Sequence, residues 1–391
     1  MHRLTAALGM PQHRFASIHV VGTNGKSSVA RRTAALLDAH GVRSAAGLSP
    51  HTVSWAERTV IGGEPIGAAE FGAAVERTAQ AAAAVERTLD EGEAITQFEA
   101  ATAAGFVALA AAGVEAAVVE AGLGGRLDAT NTIPSRVTVL TSVGLDHTEW
   151  LGETVQEIAA EKLAVLRDHS TLVLGRVGAE VAEQARAAAA ARAARLVVAP
   201  EDPGKEVRLR AAGAYQRRNF ALAVAAAEAF LGEVDLRRVQ EVAADLVVPG
   251  RLERVADEPP TYLDAAHNPD GAAALAEALP ALAGGRPVVA CIAVLADKDA
   301  SGMLAALAPA LDRVVCTELP AAALAAAGRP GARSHPAAEL AKVCASYDLA
   351  AECVPEPAAA LGRARALAVE AAGMAIVTGS HYLLGSVGPD A

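Results

Sequence analysis

Aromatic side chains are nearly missing from this 391-residue chain: two Trp, four Tyr and six Phe amount to 3% of it. Basic residues are scattered, and the formal charge is −11. A phosphate-tracking groove or a base-stacking platform needs the opposite composition, so nucleic acid is not the expected partner. Cysteine is scarce as well. Cys291, Cys316, Cys344 and Cys353 all fall in the last third, without C-x-x-C spacing or a His partner at zinc-finger distance, and are expected to be reduced core or surface thiols. Long apolar runs are missing too. The uncharged, Ala-rich stretch Ala100 to Val114 is too short to span a bilayer, and Met1 to Phe15 carries no apolar signal segment. A cytoplasmic protein with no membrane partner is expected. Lysine is the last scarcity: only Lys26, Lys162, Lys205, Lys298 and Lys342 stand among 34 basic residues. Arg neither forms a carbamate nor serves readily as an amine, so a lysine kept in so Arg-rich a chain draws attention to its chemistry.

What is present begins with Ser17-Ile-His-Val-Val-Gly-Thr-Asn-Gly-Lys-Ser-Ser28, a β-type apolar run that breaks into a Gly-rich turn. Apolar residues at helical spacing follow from Val29 to His40. Free backbone N–H groups of the turn and the N-terminus of the new helix would face one anion, with Lys26 adding a point charge and Ser27 or Ser28 a Mg²⁺-facing hydroxyl. Gly22 and Gly25 bracket only Thr23 and Asn24, a shorter loop than the general G-x-x-x-x-G-K-[S/T]. An ordinary glycine turn is the alternative, and the strand before and helix after weigh against it.

Strand and helix signals then alternate. Short strands are expected at Val42 to Gly47, Ala116 to Glu120, Arg136 to Val143 and Thr171 to Val177, and helices at Ala68 to Leu89, Ile95 to Gly113 and Thr154 to Leu166. Thr96 and Glu99 have capping-box spacing. Gln184 to Arg195, nearly all Ala and Arg, is expected to form a solvated surface helix. Val247 to Leu252 has linker punctuation, and behind it strands are expected at Thr261 to Asp264, Val288 to Leu295, Arg313 to Thr317 and Met374 to Thr378. The pattern predicts an α/β fold: a doubly wound parallel-sheet ATPase domain with a phosphate loop over residues 1–247, and a smaller Rossmann-like α/β domain over 248–391.

Ligands of an open parallel sheet sit at the carboxyl ends of its strands. Three predicted strands end there in chemistry, at the Gly25-Lys26 loop, at Glu120 and at His147. A carboxylate ending a buried strand is costly without a cation, and Ser49 could complete hard-oxygen ligation of Mg²⁺. His147 fits a hydrogen-bonded structural histidine as well as a ligand. Lys162, mid-helix after Glu161, would ordinarily be an exposed, snorkelling side chain.

Gly22-Thr-Asn-Gly-Lys-Ser-Ser28, Gly47-Leu-Ser-Pro-His51 with Glu57-Arg58, Phe98-Glu99, Glu120-Ala-Gly-Leu-Gly-Gly-Arg-Leu-Asp-Ala-Thr-Asn131, Leu145-Asp-His147, Glu161-Lys162, Pro249-Gly-Arg251, Asp264-Ala-Ala-His-Asn-Pro269, Asp297-Lys-Asp299 and Thr378-Gly-Ser380 occur in this order. Together they resemble folylpolyglutamate synthase/dihydrofolate synthase, of the Mur-ligase superfamily. The resemblance implies an ATP-dependent ligase joining L-glutamate to tetrahydrofolate and to dihydropteroate through an acyl phosphate. It implies nucleotide contacts at Gly22, Thr23, Asn24, Gly25, Lys26, Ser27, Ser28, Asn219, Arg251, Asp264 and His267, and folate contacts at Thr96, Gln97, Phe98, Glu99, Leu127, Asp128 and Ala129. Ser49, Glu120 and His147 would hold Mg²⁺, and Lys162 would be carbamylated and serve a second metal. Lys26, Glu120, His147 and Lys162 carry the catalysis in this picture, in a monomer.

The chain departs from the family pattern in places. Ser27 stands where glycine is usual, Leu48 where threonine is common, and Glu161-Lys-Leu-Ala164 replaces Glu-Lys-Ala-Gly. A short segment before the phosphate loop favours glutamate addition to tetrahydrofolate over the dihydropteroate reaction. A dedicated folylpolyglutamate synthase, another Mur-type ligase and a P-loop switch or nucleotide-binding module are the other readings. Nucleotide turnover without glutamate would indicate the switch, and binding without turnover the module.

Overall fold

A computed structural model describes residues 1–387. The chain divides into two units, the first comprising Met1–Leu209 and Arg217–Leu246, the second Arg210–Gln216 and Val247–Ala391. The short segment 210–216 thus belongs with the second unit although the first surrounds it in sequence.

The first unit is built on an eight-stranded sheet. Its strands are β1 (Ala16–Val21), β2 (Ser44–Gly47), β3 (Thr59–Ile61), β4 (Glu64–Pro65), β5 (Ala116–Glu120), β6 (Ser135–Leu140), β7 (Thr171–Leu174) and β8 (Arg195–Val198), in the order β4-β3-β2-β5-β1-β6-β7-β8. From β2 to β8 the pairs are parallel, while β2–β3 and β3–β4 run antiparallel and finish one edge. The central strands are apolar on both faces because helices cover both. Ile18, Val20, Val118, Val137 and Val139 pack with Val29, Leu36 and Leu37 of the helix Lys26–Ala39. Val21 and Leu140 point the other way, onto Leu163 and Leu166. Each such buried side chain contributes about 1.5–3 kcal/mol. β1 lies between β5 and β6 with Val20 level with Glu120 and Val139, so three strands deliver their last residues side by side.

The Ala-rich helix runs over Ala179–Ala191 and is not solvated all round. Val181, Ala185 and Ala189, at helical four-residue spacing, are buried against the sheet, where small side chains permit close approach.

The second unit has a six-stranded sheet of β9 (Arg251–Asp257), β10 (Pro260–Asp264), β11 (Val288–Ile292), β12 (Arg313–Cys316), β13 (Ala350–Cys353) and β14 (Met374–Thr378), ordered β13-β12-β11-β14-β10-β9. Only β9–β10 is antiparallel. Residues of β11 alternate between two cores: Val288, Ala290 and Ile292 face Leu275, Leu279 and Met303, whereas Val289 and Cys291 face Leu361 and Leu367. That period of two is the mark of a sheet covered on both sides. β9 is a correction to the linker expected at Val247 to Leu252, since its first residues, Arg251 and Leu252, are already strand. The cysteines are unpaired thiols, three buried and Cys353 exposed. No helix among the described residues is long and apolar enough to cross a membrane.

Candidate active site

The turn after β1 is fixed from beneath by the loop after β6. Thr23 donates its N–H to the Ser142 carbonyl at 2.9 Å, and Thr141 Oγ1 donates to the Asn24 carbonyl at 2.6 Å. Gly22 has φ +152°, and a Cβ there would collide with the Thr141 hydroxyl, so only glycine lets the two loops close on each other. Gly25 caps the helix Lys26–Ala39 in left-handed conformation, close against the Asn219 amide. Lys26 Nζ donates to the Thr23 carbonyl at 3.1 Å. Backbone N–H groups at this helix start, with Lys26 beside them, are of the kind that could cradle an anion.

Glu120 ends β5, 4% exposed. Its Oε1 accepts from Ser27 Oγ at 3.0 Å and its Oε2 from the Ser49 amide at 3.0 Å. The carboxylate therefore joins the phosphate loop to the turn after β2. The two loop serines differ in their surroundings: Ser27 Oγ donates to the Glu120 carboxylate, while Ser28 Oγ is buried without a hydrogen-bond partner.

Lys162 corrects the snorkelling picture. It is 4% exposed, and Nζ donates to the Gly22 carbonyl at 2.9 Å. Burial first, and the Lys26 charge second, pull its pKa down to about 7, against the opposing influence of Asp146 and Asp128. The helix holding it, Val155–Leu163, begins in a capping box between Thr154 and Glu157. His147 adopts a left-handed conformation, φ +52°, and its Nε2 lies 3.8 Å from Asp146 Oδ1. The structure thus binds Ser27, Ser49 and Glu120 together directly, ties Lys162 to the same loop, and places His147 with Asp146.

A cleft opens beside this corner, lined among others by Ser49, Arg58, Phe98, Phe106, Glu120 and Thr130. Phe98 comes from the helix Gln97–Ala111, whose N-terminus carries the expected capping box: Thr96 Oγ1 accepts from the Glu99 amide, and the Glu99 side chain accepts from the Thr96 amide. Hydrogen bonds from Thr96 and the chain's N-terminal ammonium keep the Glu99 pKa below the usual carboxylate range despite its partial burial. The loop after β5 leaves Leu127 93% exposed while Ala129 is buried. Asp128 accepts from the amides of Leu123 at 2.8 Å and Thr130 at 2.9 Å. Burial raises the Asp128 pKa, and the Thr130 hydrogen bonds act against that rise. Gly125 in this loop presses on the lysine-bearing helix: an added Cβ would lie 2.5 Å from the Glu161 carbonyl and 3.0 Å from that of Lys162.

The second unit holds its own share of the predicted residues. Asp264, at the end of β10, is paired in register with Arg251 and accepts from Tyr215 Oη at 2.9 Å and the Leu252 amide at 3.0 Å. Burial raises its pKa while Arg251 and Tyr215 oppose the rise. His267 Nδ1 is 3.0 Å from the Ala265 carbonyl, and its ring centroid is 5.1 Å from that of His381. Asn219 belongs with the phosphate loop in the first unit.

Sequence reasoning assigned no role to Arg58, which lies 4.4 Å over the Trp55 ring and donates to His51 Nδ1 at 2.9 Å. It assigned none to Thr130 either, although the motif Glu120 to Asn131 contains it, nor to Tyr215, which no local pattern marks. His19 did carry a signal, as a lone imidazole in an apolar run.

A hard cation fits the corner. Among the described residues no group of three His, Cys, Asp or Glu side chains converges to cage a metal. Mg²⁺ does not require one, because it is commonly held by one or two carboxylates together with waters and phosphate oxygens. The buried Glu120 carboxylate beside the Ser27 hydroxyl supplies that kind of donor.

Comparisons with known proteins agree with this chemistry. Residues 250–381 match the family described as Mur ligase, glutamate ligase domain. The chain is 37% identical over 360 residues to the dihydrofolate synthase/folylpolyglutamate synthase of Mycobacterium tuberculosis, covering 79% of this chain and 72% of that protein. It superposes with TM-score 0.90 on a M. tuberculosis folylpolyglutamate synthase complexed with ADP and AMPPCP, at 33% identity, over 98% of this chain and 93% of that one. With the bifunctional folylpolyglutamate synthase/dihydrofolate synthase of Yersinia pestis, complexed with AMPPNP and a manganese ion, the TM-score is 0.81 at 26% identity, over 98% and 90%.

Proposed function

We infer the reaction from one premise: the chain belongs to the dihydrofolate synthase/folylpolyglutamate synthase family of Mur-type ligases. It is an ATP-dependent ligase that adds L-glutamate to folates, with dihydropteroate as a second acceptor. The observation that carries this reading is the position of Glu120. Its carboxylate is bound to the phosphate loop through Ser27 and to the turn after β2 through Ser49, and it lines the cleft that Phe98 and Thr130 also line. Phosphoryl donor and carboxylate acceptor would meet there.

A free carboxylate is a poor acceptor for an amine. Transfer of the ATP γ-phosphoryl group onto the acceptor carboxylate gives an acyl phosphate and ADP. The glutamate amine then attacks the acyl carbon, the amide bond forms, and inorganic phosphate leaves with the oxygen it gained. In this reading the amides of Gly22 to Ser28 and the Lys26 ammonium stabilise charge on the transferring phosphoryl. Ser49, Glu120, His147 and Lys162, with Ser27 or Ser28, are the residues that would hold divalent metal, which would supply charge neutralisation for the transferring phosphoryl. Ser27 keeps one oxygen of Glu120 oriented and the Ser49 amide the other. Phe98, Leu127, Asp128 and Ala129 would bind the folate, with Thr96 and Glu99 holding the Phe98 helix at its start and Gln97 as its first residue. Asn219, Arg251, Asp264 and His267 would contact the nucleotide. Carbamylation of Lys162 and action as a cytoplasmic monomer belong to the same proposal. A buried amine whose protonated form is disfavoured is the species that adds CO₂.

The test is phosphate release from ATP with Mg²⁺, glutamate and either tetrahydrofolate or dihydropteroate. Release in both sets, each requiring both acceptor and glutamate, is expected. Release with tetrahydrofolate alone would restrict the enzyme to polyglutamylation, and release in neither would defeat the substrate assignment.

A further inference from the structure

We propose that His19 is a positioning residue for the substrate loop, acting through the Thr130 hydroxyl on the Asp128 carboxylate. The inference rests on the reading that Leu127 to Ala129 contact the folate.

His19 lies in the middle of β1 and is fully buried. Its neighbours Ile18 and Val20 are what a doubly covered central strand calls for, and an apolar side chain at position 19 would pack without any polar desolvation. Instead the imidazole Nε2 sits 2.8 Å from Thr130 Oγ1. Thr130 Oγ1 in turn donates to Asp128 Oδ1 in a short hydrogen bond. A hydroxyl has one proton to give, and Asp128 takes it, so the N–H must be on Nε2. The chain therefore runs in one direction, from imidazole to hydroxyl to carboxylate.

Two further observations fit this assignment. Burial and the Arg167 charge hold the ring neutral, with its pKa lowered to about 3, leaving a single N–H to be placed. His19 Nδ1 is buried without a partner, as is the hydroxyl of Thr138, the residue level with it on β6. Burying an imidazole here costs more than burying an apolar side chain of the same size. Its one satisfied bond points at Thr130, which lines the cleft together with Phe98 and Glu120. Asp128 is then oriented by Thr130 from both backbone and side chain, and His19 fixes the hydroxyl that provides the second contact.

Steady-state kinetics of the full-length enzyme, with equilibrium binding of tetrahydrofolate and of ADP measured alongside, test this. His19→Leu is expected to raise KM and Kd for tetrahydrofolate by roughly tenfold, with kcat and the ADP Kd changed by no more than about twofold. His19→Gln, whose amide nitrogen can occupy the place of Nε2, should recover most of the loss. Thr130→Val removes the same chain while keeping the β-branched shape, and decides the matter if His19→Leu does not fold. Asp128→Asn separates the two layers of argument. If it leaves tetrahydrofolate binding intact, the substrate-loop reading fails. If it weakens binding while Thr130→Val and His19→Leu do not, the role of His19 is overturned. Equal losses for ADP and folate would also overturn it.

Discussion

Lys162 shows how much a single burial changes. An ammonium 4% exposed, held on the Gly22 carbonyl at 2.9 Å, sits within reach of the phosphate loop rather than in solvent. Arg at this position keeps a cation but cannot accept CO₂. Lys162→Arg is therefore expected to fold with wild-type circular dichroism and to lose activity by at least about 100-fold; near-normal turnover would rule out the carbamate role. His19 makes a different prediction. Its pKa near 3 in the folded chain, against 6.5 when solvated, means that below pH 6.5 the unfolded state binds a proton that the folded state does not. The stability cost is absent above pH 6.5 and grows, by up to about 1.4 kcal/mol per pH unit, as the pH falls toward 3. Gln does not titrate, so urea unfolding of wild type and His19→Gln at pH 7, 6 and 5 should show the wild type losing ground as the pH drops. A constant difference would contradict the buried neutral imidazole. At this scale Glu120 was legible, because a carboxylate closing an apolar strand has few structural uses. The partnership of His19 with Thr130 was not, since the two are 111 residues apart.

Among elements, the central strands were readable from β-branched runs ending in polar residues: β1 and β5 fall at the run from Ser17 and at Ala116 to Glu120, while β6 ends at Leu140, three residues before the expected Val143. The antiparallel edge was not: Thr59–Ile61 and Glu64–Pro65 are too short to show a period. β9 was hidden for another reason, because Pro249-Gly250 reads as a linker although the strand begins at the next residue. The helix carrying Lys162 and the loop after β5 act as one piece, joined where Gly125 meets the Glu161 carbonyl and where Arg126 Nε pairs with Glu161 Oε1 at 2.9 Å. Gly125→Ala would force them apart. A stability loss of about 1–3 kcal/mol is expected, together with weaker folate binding, read by thermal unfolding and by KM. Unchanged values of both would mean the contact yields without consequence.

At the scale of the whole molecule the division into units does not follow the sequence in one cut. Arg210–Gln216 joins the second unit, and from it Tyr215 donates to Asp264 at 2.9 Å while Gln216 Nε2 donates to the Arg251 carbonyl at 3.0 Å. Nicking the chain at an engineered protease site before Val248 should leave two pieces that co-elute on size exclusion under native conditions. Separation would show that these bonds do not hold the segment. The segment was invisible in the sequence because it is a few residues long and its partners lie downstream.

The same segment constrains how this gene can be recombined. A chimera joined at the apparent boundary near residue 248 inherits the strand ending in Asp264 but takes its Tyr215 from the other parent. Asp264 is buried, and a parent lacking a hydroxyl donor there would leave that carboxylate short of a hydrogen bond. The unit of exchange is therefore two stretches of sequence inherited together.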